Sequence, residues 1–281
     1  TMVGATLSAS GAAPANFKPA ATSVTYQWLR GGTSIPGATG SSYTVTAADS
    51  GKALSVRVTG TKSGYASAAG TSKTVTPKGT VSRLAGSERI ATNVAVNTQT
   101  MKAGAPLFIA TASDFADALS VGPAASISGG SLMLTKPGAM SSASLNLVKA
   151  RKPSQIYVIG GSGGVSEAVV AQLKTAAPGV TVTRVSGADR YATSTAILDR
   201  FFTSRSVSTV LIATGRDYPD ALTAAGAGGA LKAPVLLVDG QKDQSVTGAA
   251  ATFLSSKKPG KVVLVGGSGV IKTTLESSLR K

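Results

Sequence analysis

Arg83-Leu84-Ala85-Gly86-Ser87-Glu88-Arg89-Ile90-Ala91-Thr92 returns later in the chain as Arg184-Val185-Ser186-Gly187-Ala188-Asp189-Arg190-Tyr191-Ala192-Thr193. Ile109-Ala110-Thr111-Ala112-Ser113-Asp114-Phe115-Ala116-Asp117-Ala118-Leu119 returns as Ile212-Ala213-Thr214-Gly215-Arg216-Asp217-Tyr218-Pro219-Asp220-Ala221-Leu222. Gly160-Gly161-Ser162-Gly163 returns as Gly266-Gly267-Ser268-Gly269. The offsets are 101, 103 and 106 residues. Three blocks kept in order with a small drift describe one unit, duplicated, with short insertions in its loops. Solenoid repeats run to about 20–50 residues, so a unit of this length is itself domain-sized. Tandem copies of a small domain present one surface several times over more readily than they build a single active site.

The elements inside each copy follow from the spacing of apolar residues. In the second copy, Tyr191, Thr195, Leu198 and Phe202 share a helical face within 189–202. Residues 207–213 form a β-rich apolar run, 221–231 a helix of small residues, and 234–238 a buried strand. A helix over 247–257, a strand over 261–265 and a helix over 272–279 complete the order. The first copy repeats it, with strands at 107–110, 131–135 and 155–159. Continuous apolar strands alternating with helices predict parallel sheets covered on both faces.

Residues 1–77 read differently. They are rich in Thr, Ser, Gly and Val, and they contain the one Trp of the chain. Residues 24–30 and 42–46 read as strands, and 53–61 as a third, with Leu54, Val56 and Val58 on one face. Residues 71–76 are expected to close the set. Short strands separated by turn signals indicate a β-sandwich. Pro77-Lys78-Gly79-Thr80 reads as a linker, because Pro stops the last strand and Gly allows a hinge.

Composition narrows the function. With 281 residues, 42% hydrophobic, the chain can bury more than one core. It has neither Cys nor His. That excludes disulfides, thiolate and imidazole metal sites, serine triads and Cys–His dyads. Enzymes built on carboxylates or lysine survive this test. No apolar run reaches 18 residues, and the first residues carry no basic or apolar leader pattern, so the chain is read as cytosolic or as lacking a removed leader. The net charge of +16 is spread over both parts and points to a polyanion partner. Aromatic content of 5% leaves little for base stacking, which argues against nucleic acid.

Three motifs carry candidate chemistry. Gly160 to Gly164 follows a strand and precedes a helix, so it reads either as an anion cradle or as a tight turn. It is neither G-x-G-x-x-G nor a P-loop. The Asp-x-x-Asp-Ala-Leu element places Asp114 and Asp117, and again Asp217 and Asp220, after a strand. Those carboxylates could hold a cation, work as an acid/base pair, or cap the next helix through Asp117 and Asp220. Arg83, Arg89, Arg184 and Arg190 recur at two equivalent positions. They offer planar forks to phosphate or carboxylate, or alternatively form internal pairs with Asp114 or Asp217.

Arg-x-x-Gly-x-x-Arg-Tyr-Ala-Thr, Ala-Thr-Gly-x-Asp-Tyr-Pro-Asp-Ala-Leu, Ala-Pro-Val-Leu-Leu-Val and Val-Gly-Gly-Ser-Gly occur in that order across 182–281, and more loosely across 81–180. This resembles the bacterial cell-wall-binding repeat 2 family. The resemblance implies Rossmann-like α/β units that anchor secreted proteins non-covalently to anionic wall polymers and catalyse nothing. The family carries three copies about a pseudo-threefold axis, so two copies imply a third in a longer parent chain or self-association. Its aliphatic attachment motif matches Pro234-Val235-Leu236-Leu237 and, more weakly, Ser131-Leu132-Met133-Leu134. Residues 1–77, with Tyr26-Gln27-Trp28, Tyr43 and Asp49-Ser50-Gly51-Lys52, resemble immunoglobulin-like modules of bacterial surface proteins, with Trp28 as the core tryptophan.

The expectation is therefore a multidomain chain. An all-β immunoglobulin-like sandwich (1–77) precedes two wall-binding α/β copies (81–181 and 182–281). The expected function is wall attachment of a secreted, cell-surface protein of a Gram-positive organism, without cofactor or metal. Expected polymer contacts are Arg83, Arg89, Arg184, Arg190, Arg216, Pro234, Val235, Leu236 and Leu237; the partner is an anionic polysaccharide or teichoic-acid-like polymer. The alternative is a carboxylate-based hydrolase or a nucleotide-binding enzyme at the cell envelope.

Overall fold

The computed structural model describes residues 1–9, 12–114, 116–241, 246 and 248–280. Phe115 of the repeated motif, Thr247 at the expected start of a helix, and Lys281 lie outside them. The chain divides into two compact units, Thr1–Arg83 and Leu84–Lys281.

The first unit is built on antiparallel sheets. One pairs β1 (Thr6–Ser8) with β4 (Ser42–Thr44); the other has the order β3 (Thr33–Ser34), β2 (Ser23–Arg30), β5 (Leu54–Thr61), β6 (Ala68–Thr71). Trp28 of β2 is 3% exposed and stacks on Tyr43 of β4 at 5.5 Å between ring centroids, so one aromatic pair ties the two sheets together. Val56, Val58 and Ala9 pack around it. The closing strand is Ala68–Thr71 rather than the expected 71–76. Its ladder on β5 breaks after Thr71, where the Ser72 hydroxyl accepts the Val56 amide, and only an isolated bridge from Leu54 to Val75 follows. Pro77 and Lys78 hydrogen-bond to Gly51 and to Thr1 and Val3, which ties that end of the expected linker into this unit.

The second unit contains both copies. The first copy runs α1 (Arg89–Thr100), β7 (Leu107–Thr111), α2 (Ala116–Ile127), β8 (Ser131–Thr135), α3 (Ser142–Arg151), β9 (Ile156–Ile159), α4 (Glu167–Ala176). The second runs β10 (Val182–Val185), α5 (Arg190–Phe202), β11 (Thr209–Thr214), α6 (Pro219–Leu231), β12 (Val235–Val238), α7 (Gly248–Lys257), β13 (Lys261–Val265), α8 (Thr273–Leu279). The sheets are parallel, ordered β8-β7-β9-β10 and β12-β11-β13. Apolar runs such as Leu107–Thr111 are buried along their whole length, as strands covered on both faces must be. β10, which opens the second copy, pairs with β9 and so completes the sheet of the first.

The two copies share a core. Phe201 of α5 lies 5.3 Å from Phe108 and 4.8 Å from Tyr157, both on the first sheet, measured between ring centroids. The same cluster includes Ile197, Phe202, Ile212, Leu236 and Phe253 of the second copy. Helices α2 and α6 pack along a line of small residues. A Cβ on Gly228 would sit 2.7 Å from Cγ of Pro123, so this approach requires glycine.

Candidate functional site

The repeated motifs meet at the C-terminal ends of the parallel strands, where open α/β sheets place their ligand crevices. Each copy starts its first helix with an acidic cap. Glu88 accepts the amides of Ile90 and Ala91, and Asp189 accepts that of Ala192. The first of these hydrogen bonds, from Ile90, is the main reason the Glu88 carboxyl is held below its ordinary value. The cap fixes where the next residue, an arginine, emerges. Arg89 donates to the Ala112 carbonyl and Arg190 to the Gly215 carbonyl, each at 2.8 Å, so both guanidiniums bind the loop that follows the central strand.

The two arginines then differ. Arg190 also donates to Oδ2 of Asp114 at 3.0 Å, a salt bridge from the second copy to the first. The internal Arg–Asp alternative therefore holds for Arg190. Arg89 makes no salt bridge among the described residues, and it is exposed. Arg184, at the end of β10, donates to the Gly160 carbonyl at 2.8 Å and pairs with Glu167 at 2.7 Å. Arg216 holds Asp239 through Nε at 2.5 Å and Nη2 at 3.1 Å, a fork that raises the arginine's affinity for its proton. Arg83 is exposed at the end of the first unit.

The carboxylates sort themselves differently from the expected capping by Asp117 and Asp220. Asp114, the first acid of its motif, accepts the Ala116 amide at 3.1 Å; Asp217 accepts the amide of its neighbour Tyr218 at 2.7 Å, and α6 has no side-chain cap. Asp117 and Asp220 sit inside the first turns of α2 and α6 and face the glycine turns. A Cβ on Gly160 (φ +96°) would lie 2.2 Å from Oδ2 of Asp117, and one on Gly266 (φ +137°) 2.8 Å from Oδ2 of Asp220. The glycines are there to admit a carboxylate. The place a phosphate cradle would need is thus occupied by negative charge in both copies. Burial, then the charge of Asp114, push the Asp117 carboxyl up, while Arg190 opposes them.

Pro234, Val235, Leu236 and Leu237 lie in and just before β12 and are buried, the last three at most 2% exposed. Their side chains are core, turned away from any polymer on the surface, and their reading as direct contacts is revised accordingly. The covering is partly the work of the first copy, since Ala116 and Leu119 of α2 pack with Val235 and Leu237. The counterparts Leu132 and Leu134 on β8 are only half-buried. On α6 the counterpart of Leu119, Leu222, is 57% exposed, and Leu231 is 61% exposed.

Residues 83–170 and 184–276 match the model of the cell wall binding domain 2 family (CWB2). The chain belongs to the cell wall binding domain 2 family. It carries two tandem CWB2 copies. Over 200 residues it is 27% identical to N-acetylmuramoyl-L-alanine amidase LytC of Bacillus subtilis (strain 168), covering 71% of this chain and 38% of that protein. It is 26% identical over 199 residues to the amidase enhancer of the same organism, covering 71% and 26%. Cwp6 from Clostridium difficile has a similar fold, with a TM-score of 0.64 at 19% identity over 92% of this chain and 47% of that one. Cwp8 from Clostridium difficile follows with a TM-score of 0.63 at 21% identity, over 81% and 40%. The CWB2 chain thus spans less than half the length of each. Among the described residues no helix is long and apolar enough to cross a membrane.

The signal for Arg190's partner was in the sequence only as a choice between Asp114 and Asp217. Tyr218, exposed at the junction of the copies, was not singled out, although it stands inside the repeated motif.

Proposed function

We propose that this chain holds a secreted protein of a Gram-positive cell non-covalently on its wall by binding anionic wall polymers, and that it catalyses no reaction itself. The observation that carries this reading is the collection of Arg89, Arg184, Arg190 and Arg216 at the C-terminal strand ends, each anchored to a backbone carbonyl or a carboxylate, with Arg89 and Arg190 at equivalent positions of the two copies. Planar forks held in place suit phosphate and carboxylate groups. Repetition adds weak contacts into avidity. The engagement of Asp114 and Asp239 in ion pairs favours binding over acid–base chemistry. The Pro234–Leu237 strand contributes by holding the sheet that presents the arginines.

We take residues 1–77 as an immunoglobulin-like spacer. The Trp28–Tyr43 stack between two antiparallel sheets supports this. The two wall-binding copies are assigned to 81–181 and 182–281. The test is a pull-down of the chain on purified walls, before and after their anionic polymers are stripped. Binding is expected to be lost with the polymers. Full retention on stripped walls would overturn the reading.

A further inference from the structure

A groove of about 410 Å³ opens beside the central strand of the first copy. It is lined by Arg89, Ser113, Asp114, Leu119 and Leu134 of that copy and by Tyr218 of the other. The duplication supplies an internal control for its chemistry. Arg89 and Arg190 are counterparts with the same carbonyl anchor. Arg190 is neutralised by Asp114, whereas Arg89 makes no salt bridge among the described residues. Asp114 is itself taken up by Arg190 and by the Ala116 amide. One of the two repeated arginines therefore joins the copies, and the other faces the groove with its remaining donors. Across from it Tyr218 is 54% exposed, an aromatic ring with an apolar body at the surface. Leu119 and Leu134 supply an apolar floor.

We propose that this groove seats one acidic sugar residue of the wall polymer, its phosphate or carboxylate on the Arg89 guanidinium and its apolar ring face against Tyr218. The proposal rests on the wall-polymer reading above. The guanidinium fork matches either anion, and the aromatic ring selects a sugar over a bare ion. The site exists only where the two copies meet, since Arg89 and Tyr218 come from different copies.

The test is calorimetric titration of the full chain with two probes: a sugar-phosphate wall polymer and a uronic-acid polymer of matched length. The arm that binds identifies the anion. Arg89→Ala and Tyr218→Ala should each weaken binding, the arginine variant by about tenfold or more, as loss of a charged hydrogen bond implies. Arg89→Lys should fall between them and the wild type. Lys174→Ala removes one exposed charge on α4 and should bind as the wild type does. If neither polymer binds the wild type, the wall-polymer reading itself fails. If the wild type binds and both groove variants match Lys174→Ala, the groove is not the seat. Light scattering adds a third outcome: variants that change the oligomeric state with affinity intact would make this face a protein interface and overturn the proposal. Tyr218→Ala, at an exposed ring, decides the matter if Arg89→Ala does not fold.

Discussion

Asp49 shows what a single buried charge does here. Its carboxylate is fully buried and accepts from Nε of Arg30 at 2.6 Å, the Tyr43 hydroxyl at 2.8 Å, and the amide and hydroxyl of Thr46, each at 2.7 Å. Burial alone would raise its pKa. The hydrogen bonds from Thr46, Arg30 and Tyr43 outweigh that and lower it to about 2. The depressed value means that the charged form stabilises the fold above the unfolded carboxylate range, near pH 4, and that this stability is lost as pH falls toward 2. Trp28 is the one tryptophan and lies in the same unit, so its fluorescence during urea unfolding reports this effect. Asp49→Asn is expected to cost about 2 kcal/mol at pH 7, since a charged acceptor is removed from buried donors. It should also flatten the pH dependence below 4; an unchanged acid limb would show that other carboxylates dominate. The Asp-x-Gly turn was readable from residues 49–51, but the convergence of Arg30 and Tyr43 on it was not. Those residues are 19 and 6 positions away, and only the sheet pairing brings them together.

At the scale of elements, most strands and helices were legible because their apolar periods are clean. β8 and β13 have the expected bounds, and the α5, β7, β9 and β12 runs shift by one residue at one end. β10 was not legible. Four residues with one charge inside them carry little periodicity, and they become a strand because β9 offers an edge. The interface of α2 was equally silent. Leu119 and Leu222 occupy the same position in the repeated motif, yet one is 9% and the other 57% exposed, because α2 packs on the second copy. Leu119→Ala is expected to destabilise the second unit by about 2–4 kcal/mol, the range for a buried leucine. Leu222→Ala should change stability by no more than about 0.5 kcal/mol. Calorimetric unfolding of the two variants checks the pair. Equal losses would mean that Leu222 is covered in solution.

For the whole molecule, the +16 charge predicts how wall binding responds to salt. Screening shortens from about 10 Å at 0.1 M to about 3 Å at 1 M, so retention on purified walls should fall steeply over that range. Retention unchanged at 1 M would indicate recognition of neutral sugars. The family, the duplication, the α/β character of both copies and the basic surface all followed from the sequence, because motif order, apolar period and charge are properties of the chain itself. The role of each member of a repeated pair did not. Arg89 and Arg190, Leu119 and Leu222, and Leu134 and Leu237 occupy equivalent positions in the repeat, and their differences arise when one copy packs against the other. Burial and ion pairing depend on neighbours distant in the chain, and a duplicated motif contains no record of which side its neighbour will occupy.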